Sequence, residues 1–177
     1  MRIISGKYKG RRFTAPKKLP VRPTTDRAKE ALFNILSNQV DFSTSSVLDL
    51  FSGTGNMLYE FLSRDVKNAV AIDKNYGCTG FIKQTVKELG EEEKTTILLG
   101  DVFSKLPKLK QSFDIIFADP PYDLKNIAQI PELVFEHHLL NEDGIMIIEH
   151  GKQTDLSHLT HFKEMRNYGN VNFSIFQ

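Results

Sequence analysis

The segment FDIIFADPPYD, residues 113–123, carries the densest chemistry in the chain. Pro120 has no N–H to donate, and two successive prolines stiffen the loop. The Asp119 carboxylate and the Pro120 carbonyl are then both acceptors near one point, and Tyr122 adds a flat stacking surface. Together these groups suit a planar ring bearing an exocyclic NH2, such as a base turned out of its stack. An aryl amine is a weak nucleophile because its lone pair is delocalised into the ring. Two acceptors on its hydrogens localise that pair and aim it, which is a near-attack arrangement. Asp119 can also take the released proton, directly or through water. The expected catalytic set is Asp119, Pro120, Pro121 and Tyr122.

A second cluster is DLFSGTG, Asp49 to Gly55. Glycines after a strand let the backbone approach a ligand closely. Asp73, 20 residues past Gly53, is spaced to accept hydrogen bonds from ribose hydroxyls. The dinucleotide fingerprint asks for a small residue three positions after its second glycine. That position is Leu58 here, so a pyrophosphate is not expected. Asp49 beside the loop attracts a cation and repels a phosphate. The set fits a nucleoside with a positive charge and no phosphates, and S-adenosylmethionine is such a molecule. Asp101 suits an adenine amine or, equally, caps the next helix. Phe51 either touches the cofactor or packs in the core. The expected cofactor-binding residues are Asp49, Phe51, Gly53, Gly55, Asp73 and Asp101.

Five continuous apolar runs must position these groups: 47–51, 69–73, 95–99, 113–118 and 144–149. Such runs imply strands covered on both faces. Helical stretches at 55–64, 76–89 and 126–139 lie between them, giving βαβ units and a parallel sheet. Residues 162–166 and 171–176, joined across YGN, read as a terminal antiparallel hairpin. Ahead of all this, residues 2–14 read as a hairpin or extended arm around Gly6 and Gly10, and 15–23 as a linker with Pro16, Pro20 and Pro23. Thr24 or Thr25 then caps an amphipathic helix bearing Ala28, Ala31, Leu32, Ile35 and Leu36. The fold expectation is α/β: a mostly parallel seven-stranded sheet with a C-terminal antiparallel hairpin. A small basic N-terminal extension of hairpin plus helix (1–40) precedes the main domain (41–177).

The 177 residues carry 23 basic and 22 acidic side chains, a net charge of +1. Residues 1–30 alone hold ten basic residues and two acids, so the remainder is net acidic. A basic arm on an acidic body points to a polyanionic partner. Arg2, Lys7, Lys9, Arg11, Arg12, Arg22 and Arg27 are the expected contacts. Cys78 is the only cysteine, which excludes an intramolecular disulfide and a thiolate-rich zinc site and suggests a reducing, cytoplasmic setting. His137-His138, His150, His158 and His161 lack an HExxH pattern, so no metal is expected. No apolar run approaches the roughly 18 residues of a membrane span, and the basic start lacks the apolar stretch of a secretory signal. Glu91-Glu92-Glu93 reads as a solvated loop.

The glycine loop, Asp73 and DPPY resemble the class I S-adenosylmethionine-dependent methyltransferases that act on exocyclic amines. The blocks RIISGKYKGRRF, RPTTDRAKEALFNIL, DLFSGTGNMLYEFLSR and RNYGN are similar to the bacterial small-subunit ribosomal RNA guanine-N2 methyltransferases over nearly the whole chain. The resemblance implies a Rossmann-like fold and S-adenosylmethionine as cofactor. The partner it implies is one guanine of small-subunit (16S) rRNA, in an assembled or assembling 30S subunit; a monomer is the default expectation for a small RNA-modifying domain. An adenine-N6 methyltransferase shares DPPY but not the N-terminal blocks. A non-catalytic RNA-binding assembly factor would need neither Asp119 nor the glycine loop. Two stretches depart from the family pattern: Asn56-Met57-Leu58 after the loop, and the glycines of NYGCTG after the second strand.

Overall fold

A computed structural model describes residues 1–19 and 25–177; Arg22, one of the expected RNA contacts, lies outside them. Seven strands form one sheet in the order β3-β2-β1-β4-β5-β7-β6. They are β1 (Ser46–Leu50), β2 (Asn68–Asp73), β3 (Thr95–Leu99), β4 (Phe113–Ala118), β5 (Leu140–His150), β6 (Phe162–Tyr168) and β7 (Val171–Phe176). The first five are parallel, and β7 is antiparallel to both β5 and β6. The helices are α1 (Asp26–Ser37), α2 (Asn56–Ser63), α3 (Tyr76–Leu89), α4 (Val102–Lys105) and α5 (Gln129–Glu136).

Alternation along the strands divides the core in two, because successive side chains point to opposite faces. Val47, Ala69, Ile115 and Ile145 face one way and pack with α1, α2 and α3. Leu48, Val70, Ile116 and Met146 face the other way and pack with α4 and α5. Each fully buried aliphatic side chain contributes about 1.5–3 kcal/mol of transfer free energy. The runs of β1, β2, β4 and β5 are apolar because both faces are covered; β3, expected to be covered as well, is an edge strand whose residues are all half-buried or exposed.

Ile3, Phe13 and the buried face of α1 share the first cluster with α2. The N-terminal extension therefore packs as part of the body. Its expected hairpin is reduced to a single antiparallel bridge, Arg2 with Arg12. Gly6 makes the approach possible: a Cβ there would lie 2.0 Å from the Ser63 carbonyl oxygen. Thr25 caps α1, its hydroxyl accepting from the Ala28 N–H at 3.2 Å.

Buried charge ties the same two layers. Lys29, counted above with the basic arm, is buried and donates to Glu60 at 3.0 Å, Asn56 at 3.2 Å and the Arg2 carbonyl at 2.5 Å. Arg64 completes the pair from the other side of Glu60 at 2.6 Å. Glu91 is also buried, against the reading of a solvated loop. It accepts from the Tyr8 hydroxyl and pairs with Lys7 at 2.7 Å. The expected helix over 126–139 is the shorter α5, and β5 begins four residues before the apolar run at Gly144. The four-residue α4 is too short to leave a periodic signature.

Candidate active site

The strand order reverses between β1 and β4, and there the loops after the two strands diverge and leave a crevice beyond their carboxyl ends. A cavity of about 760 Å³ occupies it. Its walls bring together Asp49 from the end of β1, Phe51 and Gly53 from the loop that follows, Asp73 from the end of β2, Asp101 from beyond β3 and Asp119, Pro120 and Pro121 from beyond β4. Residues 70 positions apart in the chain thus converge on one space because parallel strands end at the same sheet edge.

The glycine loop is held by its own backbone. Phe51 takes a φ of 58°, and Gly55 a φ of 84° as it opens α2. At Gly55 a Cβ would also fall 2.6 Å from the Tyr59 ring, so this glycine seats Tyr59 and turns the chain rather than lining the cavity. The Gly53 N–H donates to Asp73 Oδ2 at 2.8 Å, and the Asn75 N–H donates to Asp73 Oδ1 at 2.8 Å. Two backbone donors fix the Asp73 carboxylate, which lines the cavity.

Asp49 is 1% exposed, and its Oδ2 has no hydrogen-bond partner among the described residues. Burial, reinforced by the nearby Asp73 charge and opposed by hydrogen bonds from Ser52 and Leu58, pushes its carboxyl up to about 8. An orphaned buried carboxyl in a cavity wall is costly unless a ligand satisfies it. A cationic nucleoside meets that demand, and the carboxylates of Asp73 and Asp101 fit its hydroxyls and amine. The donor set is therefore compatible with S-adenosylmethionine.

Asp101 takes the capping role and also stands in the cavity wall. It accepts from the Ser104 N–H at 3.1 Å as the cap of α4 and still lines the crevice. Phe51 also lines it, edge-on to Phe103 at 6.2 Å. Pro120 is buried, Asp119 half-buried and Pro121 exposed. Tyr122 does not line this cavity. Its hydroxyl donates to Glu149 Oε1 at 3.1 Å, and its ring lies over Gly151. Sequence reasoning missed the cavity residues Thr54, Asn56, Lys74, Asn75, Val102 and Phe103. Most flank the glycine pair, Asp73 or Asp101, and that adjacency was the available signal.

The expected RNA contacts among the described residues, Arg2, Lys7, Lys9, Arg11, Arg12 and Arg27, are all exposed. Arg11 sits over the rings of Tyr8 and Phe13. Arg2 pairs with Asp26 at 2.5 Å. Lys7 is held by Asp65 and Glu91, both at 2.7 Å; burial works against its charge, but the two carboxylates outweigh it and raise its pKa. No group of acids, histidines and cysteines suited to a metal ion occurs among the described residues. Cys78 and His150 are buried, and no described helix is long and apolar enough to cross a membrane.

Acidic strand ends gathered at this switch point, on a sheet of this order closed by an antiparallel hairpin, define the Rossmann-like class I methyltransferase fold. Within that class, the chain belongs to the family described as Conserved hypothetical protein 95, whose model matches residues 1–177. Ribosomal RNA small subunit methyltransferase D of Haemophilus influenzae is 30% identical over 183 residues, covering 100% of this chain and 93% of its own. YlbH of Bacillus subtilis is 33% identical over 159 residues, 88% of this chain and 85% of its own. The solved structure of yhhF from Escherichia coli superposes with a TM-score of 0.84 at 25% identity, covering 100% of this chain and 97% of that one.

Proposed function

We propose that this protein transfers a methyl group from S-adenosylmethionine to the exocyclic N2 amine of a guanine in small-subunit rRNA. The observation that carries the reading is the single cavity walled by Asp49, Asp73 and Asp101 on one side and Asp119-Pro120-Pro121 on the other. The first three carboxyls suit a cationic nucleoside; the last segment suits a planar amine. The relatives named as rRNA small subunit methyltransferases support RNA as the substrate.

When bound, the cofactor supplies an electrophilic methyl group on a sulfonium. Asp49 neutralises positive charge at the floor of the cavity, and Asp73 orients the ribose. Asp119 and the Pro120 carbonyl accept the two amine hydrogens, localise the nitrogen lone pair and fix its direction. As the nitrogen gains its methyl and becomes cationic, Asp119 takes the surplus proton. No covalent enzyme intermediate is required. Tyr122, anchored by Glu149, holds the DPPY loop in shape.

Residues 1–40 act as the RNA-binding extension and 41–177 as the methyltransferase domain. Within the extension, Lys9, Arg11, Arg12 and Arg27 supply phosphate contacts, Arg2 ties the arm to α1 through Asp26, and Lys7 docks it onto the body through Asp65 and Glu91. The test is transfer from labelled S-adenosylmethionine to small subunits lacking their native methylation, with an Asp119→Ala control. The control loses transfer and keeps cofactor binding; a control that still transfers would remove Asp119 from the chemistry.

A further inference from the structure

Gly77 and Gly80, the glycines that depart from the family pattern at the start of α3, do not line the crevice. The structure gives Gly77 a neighbour: a Cβ there would lie 2.6 Å from Leu19 Cδ2. Leu19 closes a turn with Pro16, its N–H donating to the Pro16 carbonyl at 3.0 Å. The turn carries Lys17 and Lys18, both exposed, and Leu19 anchors it to the N-terminal end of α3.

Tyr76 opens that helix and is 79% exposed, the most exposed of the three large apolar side chains the described residues leave in solvent. A second, Leu99, is paired in register with Asp73, so it belongs to the same rim. Lys74 and Asn75, between Asp73 and Tyr76, line the crevice. Gly80, one turn beyond Tyr76, has nothing within 4 Å of where a Cβ would stand, which leaves that side of the helix open. An aromatic side chain bordered by exposed lysines therefore marks the cofactor side of the crevice mouth.

Lysines are depleted at the centres of protein–protein interfaces, whereas a stacking ring with flanking cations matches single-stranded nucleic acid. RNA is read chiefly through unpaired bases that stack on aromatic side chains. We infer that Tyr76, with Lys17, Lys18 and Lys74, is a stacking platform for an unpaired nucleotide of the RNA substrate beside the target base. The inference rests on the RNA reading above and adds a second contact surface, across the crevice mouth from the DPPY loop.

The test is anisotropy of a short fluorescein-labelled oligoadenylate titrated with the full chain at several salt concentrations. Tyr76→Ala weakens binding about 5- to 150-fold, the range for loss of one base stack, and Tyr76→Phe binds like the wild type. Replacing Lys17 and Lys18 together by Gln lowers the slope of log Kd against log salt by about 1.4, at roughly 0.7 per phosphate contact. Wild-type oligoadenylate affinity in Tyr76→Ala overturns the inference. So does a loss of S-adenosylmethionine affinity in that variant with RNA binding intact, since the ring would then cover the cofactor. The readout is independent of catalysis. If Tyr76-dependent binding persists but no guanine is methylated, the functional reading fails and the platform stands.

Discussion

Asp49 gives the cofactor site a pH dependence that can be worked out in advance. Its carboxyl is raised from 3.8 to about 8 by burial, with Asp73 adding to the shift. Below about pH 8 the empty site holds a proton, which a cation must expel to gain a charged partner. Affinity for the ionised form then falls by about tenfold for each pH unit below that value, about 100-fold at pH 6. Calorimetric titration with S-adenosylmethionine in two buffers of different ionisation enthalpy reads both Kd and protons released. The wild type releases close to one proton at pH 6–7 and becomes tighter as pH rises to about 8. Asp49→Asn lacks this release, and its affinity converges with the wild type at low pH. Because the cofactor's own amine titrates in both proteins, the difference between the two profiles isolates Asp49. Parallel profiles for the two proteins would refute the reasoning.

The same carboxyl affects the empty protein with the opposite sign. The unfolded chain releases the proton above about pH 4, whereas the folded chain keeps it to about pH 8, so Asp49 lowers stability progressively across that window. Asp49→Asn is therefore more stable than the wild type at pH 8 and similar near pH 4, by urea denaturation without cofactor. Lys29→Met breaks a buried pair with Glu60 and costs about 3–5 kcal/mol in the same assay, because Glu60 is left with an uncompensated share of its charge. Burial lowers the pKa of His150; its neutral ring donates from Nδ1 to the Gly151 carbonyl and accepts the Ser174 hydroxyl at Nε2. Folding excludes a proton there, so stability falls as pH drops below about 6.5, and His150→Gln flattens that fall. Neutralising Arg11 and Arg12 lowers the salt slope of RNA binding by roughly 1.4–1.8 and leaves cofactor affinity alone, whereas Lys7→Gln loosens the arm from Glu91 and Asp65 with little change in slope.

The sheet was legible because β1, β2, β4 and β5 are buried on both faces and so write unbroken apolar runs. Asp49 and Asp73 were legible because they stand at the ends of the β1 and β2 runs, Asp101 and Asp119 because they follow the β3 and β4 runs, and parallel strands deliver their ends to one edge. What the chain order hid were the long-range pairings. Glu91 looks solvent-facing until Tyr8 and Lys7 are folded onto it, and Lys29 looks like part of a basic arm until Glu60 arrives from α2. The role of Gly77 depends on Leu19, nearly 60 positions earlier, and no local pattern reports that contact.

The central claim is the identity of the methylated atom. Small subunits lacking native methylation, incubated with the protein and labelled S-adenosylmethionine and digested to nucleosides, give the answer by chromatography against standards. Label in N2-methylguanosine is the predicted result. Label in N6-methyladenosine, or no label from a protein that binds the cofactor, would contradict it.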